Sequence, residues 1–85
     1  GNDDADLINM ISAIHGNKVG LVFVEQSDKH VKISWRALED GIDVSPIAKQ
    51  FGGGGHAAAA GADIPGSLNE IQPVVLKATR ERLGL

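Results

Sequence analysis

The sequence has no cysteine, which removes a disulfide framework and any thiolate metal site. It has no apolar run of the length a transmembrane helix needs, and no signal peptide is visible. The expectation is a reducing, cytoplasmic setting with no membrane segment in this stretch. Basic residues are also scarce. Eight Lys and Arg against eleven Asp and Glu leave a net charge of −3, with a pI near 5.4. A general nucleic-acid binder would show a basic face, and the only arginines are Arg36, Arg80 and Arg82. Phosphate recognition would therefore rest on a few placed groups. No repeat and no linker divides the 85 residues, which are enough for one small core.

What the chain does have is glycine, eleven in all, with four together at Gly52–Gly55. His56, four alanines and Gly61 follow directly. Glycine loses more backbone freedom on folding than any other residue, so an ordered run implies that side chains would be in the way. By composition alone four glycines make a connector. A connector would not lead straight into a histidine and a strand of small residues. Consecutive glycine N–H groups can line an anion-receiving concavity, and His56 with a nearby arginine can complete it.

Around this stretch the pattern predicts an α+β fold in the order α-β-β-α-β-α, with a small mixed sheet of about three strands. Leu7, Met10, Ile11 and Ile14 have the i, i+3, i+4, i+7 spacing of an amphipathic helix. Asp3, Asp4 and Asp6 would sit at its positive end and Gly16-Asn17 would stop it. Those aspartates are read as capping acids rather than metal ligands. Val19–Val24 reads as a buried strand. Val31, Ile33 and Trp35 alternate with Lys32, Ser34 and Arg36, which predicts an antiparallel hairpin partner with the polar three on one face. Trp35 then points into the core and is not a base-stacking platform.

Ser45-Pro46 is a helix start, with serine as N-cap and Gly52 as the C′ stop. Ala58–Ile64 reads as the third strand. Ser67 and Glu70 have capping-box spacing ahead of a last helix. Pro73 either bends that helix or opens it after a short turn.

Other glycine motifs fail on context. A Walker loop needs lysine and a hydroxyl residue after its last glycine, and a dinucleotide fingerprint needs a strand before the glycines and a helix within them. His15, His30 and His56 share no metal-ligand spacing, so no metal site is expected.

The segment Asp43–Phe51 followed by GGGGHAAAAGA resembles the DHHA1 domain, the C-terminal lobe of DHH-family phosphoesterases. The similarity is greatest to the oligoribonuclease and pAp phosphatase branch, with RecJ-type exonucleases as cousins. Gly52–Gly55, His56, Ala59, Ala60 and Gly61 carry the pattern, and Ser34-Trp35-Arg36 matches the family's Ser-x-Arg strand. Ala37 departs from it, because the family often has serine there.

The resemblance implies a substrate-binding lobe that grips a nucleotide or short oligonucleotide through Arg36, Gly53, Gly54, Gly55 and His56, with Ser34 assisting. An N-terminal lobe with an Asp-His-His motif would hold two manganese ions. No such motif lies in these residues, so the lobe is expected to be inactive alone and to bind no cofactor itself. Two other readings remain open: a nucleic-acid module like that of alanyl-tRNA synthetases, and a glycine-packed interaction domain, with a homodimer compatible with either.

Overall fold

Two tight turns early in the chain decide the architecture. In the computed structural model, which describes residues 7–85, Gly16 and Asn17 take φ of 58° and 57°. The Lys18 N–H donates to the His15 carbonyl at 2.9 Å. This is the left-handed pair of a type I′ hairpin turn, and it joins β1 (Leu7–His15) to β2 (Val19–Gln26). Lys29, with φ of 64°, closes the second turn into β3 (His30–Ala37). A short α1 (Ser45–Gln50), β4 (Gly54–Gly55), β5 (Ala59–Pro65) and a long α2 (Leu68–Leu83) complete the chain.

The fold is α+β as expected, but the sheet has five strands in the order β1-β2-β3-β5-β4, every neighbour antiparallel. The expected first helix is a strand. Of its four stripe residues, Leu7, Met10 and Ile14 are exposed and only Ile11 packs on the core. Three isoleucines in eight residues suit a pleated surface, and the hairpin turn delivers them to the free edge of β2. The element order is therefore β-β-β-α-β-β-α. Asp3, Asp4 and Asp6 lie outside the described residues.

One face of the sheet is the core. Leu21, Phe23, Ile33 and Trp35 are fully buried there under Ile47 and Ala48 of α1 and Leu68, Ile71 and Val75 of α2. Each such side chain stabilises the fold by about 1.5–3 kcal/mol. The Trp35 Nε1–H donates to Thr79 Oγ1 at 3.0 Å, and the Thr79 hydroxyl donates to the Val75 carbonyl at 2.7 Å. The capping box holds: Ser67 Oγ accepts from the Glu70 N–H at 3.3 Å, and Glu70 Oε1 accepts from the Ser67 N–H at 3.2 Å. Glu25 on β2 accepts from the Leu68 N–H at 2.8 Å, tying sheet to helix.

Two local readings change. Val44, not Ser45, is the N-cap of α1. Asp43 Oδ1 accepts from the Ser45 N–H at 2.9 Å and from its hydroxyl at 2.6 Å, so the aspartate does the capping from one residue further out. Helix α2 runs through Pro73 without interruption. The lost N–H falls on an exposed turn near the helix start, and the buried stripe on the other side holds the helix together.

Candidate nucleotide-binding face

Among the described residues no helix covers the second face of the sheet, and its cross-strand rows set out the candidate site. In an antiparallel sheet directly opposed residues share a face. One row reads Ile14, Gly20, Arg36, Ala59. The next reads Ser12, Val22, Ser34, Gly61, Gly54. A third reads Met10, Val24, Lys32, Asp63.

His56 extends the first row. Its N–H donates to the Ala59 carbonyl at 2.8 Å, and the Ala59 N–H donates back at 3.2 Å. Arg36 and His56 thus flank Ala59, two strand spacings or roughly 10 Å apart along the backbone, with one methyl group between them. The turn residues between His56 and Ala59 are fixed as well. The Ala57 carbonyl accepts from Val44 and the Ala58 carbonyl from Ala37, both at 2.9 Å. Arg36 and His56 are exposed, and neither side chain has a partner among the described residues.

The glycines divide by purpose. Gly52 takes φ of 83° just past the end of α1, a conformation other residues enter only with strain. A Cβ on Gly53 would fall on the Gly61 carbonyl oxygen and within 2.7 Å of Ala62 Cα. A Cβ on Gly55 would come within 2.6 Å of Ala60 Cα. These two are glycine because the loop packs on β5, and that also explains the alanines behind them. At Gly54 nothing among the described residues stands within 4 Å of the Cβ position. None of their contacts requires glycine there.

The backbone donors divide too. The Gly52 N–H donates to the Lys49 carbonyl and the Gly53 N–H to the Ala48 carbonyl, at 3.0 and 2.9 Å. Both are consumed by the end of α1, so they cannot line the anion concavity expected of consecutive glycines. Because His56 and Ala59 form a hydrogen-bonded pair, the Gly55–Ala60 pair is by alternation a non-bonded one. The Gly55 N–H is left turned out of the ladder.

On the buried side, the Trp35 and Phe51 rings stack with centroids 6.2 Å apart. Phe51 directly precedes the glycines and Trp35 sits between Ser34 and Arg36. One aromatic contact therefore registers the arginine strand against the glycine loop. A groove of about 450 Å³ runs between them, bordered by Lys32, Ser34, Gly52, Gly53, Gly61 and Asp63.

This combination of a Ser-x-Arg strand, a glycine loop packed on small residues and a histidine brought into the arginine's row has a match. The DHHA1 domain model covers residues 3–83. The chain belongs to the DHHA1 family. It is 38% identical over 82 residues to the bifunctional oligoribonuclease and PAP phosphatase NrnA of Thermus thermophilus, covering 95% of this chain and 25% of that protein. It is 40% identical over 73 residues to the protein of that name from Mycoplasma genitalium, covering 86% of this chain and 22% of the relative. Over 40 residues, 47% of this chain and 10% of the relative, it is 48% identical to oligoribonuclease NrnB of Bacillus subtilis. The DHHA1 domain here thus spans about a quarter or less of these curated relatives.

The structure also brings in residues that sequence reasoning passed over. Gly20 stands opposite Arg36, Asp63 stands opposite Lys32 in the groove, and Leu38 lies over Gly20. A glycine inside an apolar strand run was the available signal for the first. Among the described residues, no three His, Asp or Glu side chains cluster as metal ligands. No helix among them is long and apolar enough to cross a membrane.

Proposed function

We propose that this DHHA1 domain is the substrate-binding lobe of a cytoplasmic DHH-type phosphoesterase acting on short oligonucleotides or 3′-phosphoadenosine-5′-phosphate. The observation that carries the reading is the row in which Arg36 and His56 flank Ala59 on the open face. A guanidinium there takes a phosphate bidentately, and the imidazole adds a donor on the far side. Ser34 and the outward Gly55 N–H complete the set, while Gly54 leaves room for the phosphate oxygens. The names of the NrnA relatives, oligoribonuclease and PAP phosphatase, supply the substrate class.

In this role the lobe raises the rate by orienting the substrate and neutralising phosphate charge. Hydrolysis belongs to a second lobe of the parent protein, where we place the manganese ions. The described residues of this domain do not fit that metal pair. The glycine-packing alternative accounts for Gly53 and Gly55 but leaves unexplained both Gly54 and Arg36, which has no partner among the described residues.

An NMR titration of the chain with pAp tests the proposal. Shifts centred on Arg36, Ser34 and residues 53–56 support it. Unchanged spectra at millimolar ligand would reject it.

A further inference from the structure

Beyond Arg36, on the side away from His56, the open face has a second groove of about 420 Å³, within the size range of small-ligand sites, roughly 300–1,000 Å³. Gly20 is its floor, Ile14 and Leu38 are its walls, and Val22 continues the floor into the next row. Ser34 borders this groove as well as the groove beside the glycine loop, so the two meet at Ser34. Of the two, Arg36 lines the second groove alone.

Gly20 is the informative residue. It lies inside a strand, where glycine costs conformational entropy and forfeits a packing side chain. Its φ is not in the left-handed region, and a Cβ there would meet only the flexible tip of Leu38, at 3.8 Å. Unlike Gly53 and Gly55, then, Gly20 is not demanded by internal packing. A strand glycine of this kind marks a place that something else approaches closely. Whatever enters is flanked by aliphatic walls and tied at one end to a guanidinium.

Resting on the phosphate-binding reading above, we propose that this second groove receives the nucleobase of the nucleotide joined to the phosphate held by Arg36. The occupant is a flat heterocycle whose ring face packs over Gly20 between Ile14 and Leu38. Among the described residues, the only polar side chains of the groove besides Arg36 are the hydroxyls of Ser12 and Ser34. They cannot read a full donor and acceptor pattern, so the subsite tolerates any base. Selectivity falls on the presence of a base: the lobe engages a base and its phosphate together, and a sugar phosphate without a base fills half the site.

The test compares ribose 5-phosphate with the dinucleotide pApA on the isotope-labelled chain. Ribose 5-phosphate is expected to shift Arg36 and residues 53–56 alone. The dinucleotide is expected to shift Ile14, Gly20, Val22 and Leu38 as well, and pUpU should do the same. Gly20→Val fills the floor and should weaken pApA about tenfold, the scale of one lost apolar contact. Its affinity for ribose 5-phosphate should stay unchanged. Leu38→Ala, at an exposed side chain, serves as a second variant with the fold secure.

If pApA and ribose 5-phosphate shift the same residues, and both variants bind pApA as the wild type does, the base subsite is overturned while the phosphate reading stands. If ribose 5-phosphate shifts neither Arg36 nor residues 53–56, the phosphate reading falls and takes the subsite with it.

Discussion

Arg36 and His56 share one cross-strand row, separated by the methyl group of Ala59. They are 20 positions apart in the sequence, yet a hydrogen-bonded strand pair and a two-residue turn fix their relation. Both project from backbone held in the ladder, so the site is built before any ligand arrives. Such preorganisation is what makes a few charged groups effective where overall charge is unfavourable.

The first prediction concerns that pair. In the parent protein, assayed for the phosphoesterase activity proposed above, Arg36→Ala and His56→Ala should each lower kcat/KM by roughly ten- to a hundredfold, the worth of one hydrogen bond to a charged group. Thermal unfolding should be unchanged, because both side chains are exposed and have no partner among the described residues. Arg36→Lys should recover little, since an ammonium cannot make the planar two-point contact. The double variant should fall short of the summed single effects, as two groups on one phosphate do. Wild-type kinetics in both single variants would remove the pair from the site.

A second prediction tests the support beneath the site. Trp35 is buried, and Thr79 Oγ1 is the acceptor for its indole N–H. Thr79→Val keeps the shape and removes that acceptor, which should cost about 1–3 kcal/mol in urea unfolding. Trp35 sits between Ser34 and Arg36 and stacks on Phe51, so weaker ligand binding should accompany the lost stability. A variant as stable as the wild type would show that the bond is not structural.

A third prediction follows from Asp43. The hydroxyl of Ser45, and then its backbone N–H, hold the Asp43 carboxyl below the usual carboxylate range. A carboxylate with a lowered folded-state pKa adds stability above the unfolded value, about 3.9. That contribution disappears as the pH falls through the folded value. Ser45→Ala removes the largest cause, so carbon-detected titration should show the Asp43 pKa moving up toward the ordinary value. The stability gap between variant and wild type should then close as the pH drops below the folded pKa. An unmoved Asp43 titration would contradict this.

Much of this arrangement was legible in the residues, for identifiable reasons. Val31–Arg36 alternates with period two, and that alone placed Arg36 and Ser34 opposite Trp35. Ser67 and Glu70 announced a reciprocal cap. The strand from Leu7 was hidden because polar residues at Asn9, Ser12 and His15 leave the apolar ones at helical spacing as readily as on an edge strand. The deciding cue was Gly16-Asn17, a hairpin turn rather than a helix stop.

The pairing of Gly54 and Gly55 with β5 was beyond reach of propensity, since glycine favours no strand and the ladder depends on a partner. Nor could spacing tell which glycines serve packing. That distinction exists only once Gly53 and Gly55 are laid against Gly61, Ala62 and Ala60.

The most direct measurement uses that distinction, comparing Gly53→Ala with Gly54→Ala for stability and for pAp affinity. Gly53→Ala should be destabilised by about 1–3 kcal/mol, because its methyl group meets backbone rather than a flexible side chain. Gly54→Ala should unfold at the wild-type denaturant midpoint yet bind pAp roughly tenfold more weakly, since its methyl group occupies space kept for phosphate oxygens. A Gly54→Ala domain that folds and binds pAp like the wild type would contradict the account.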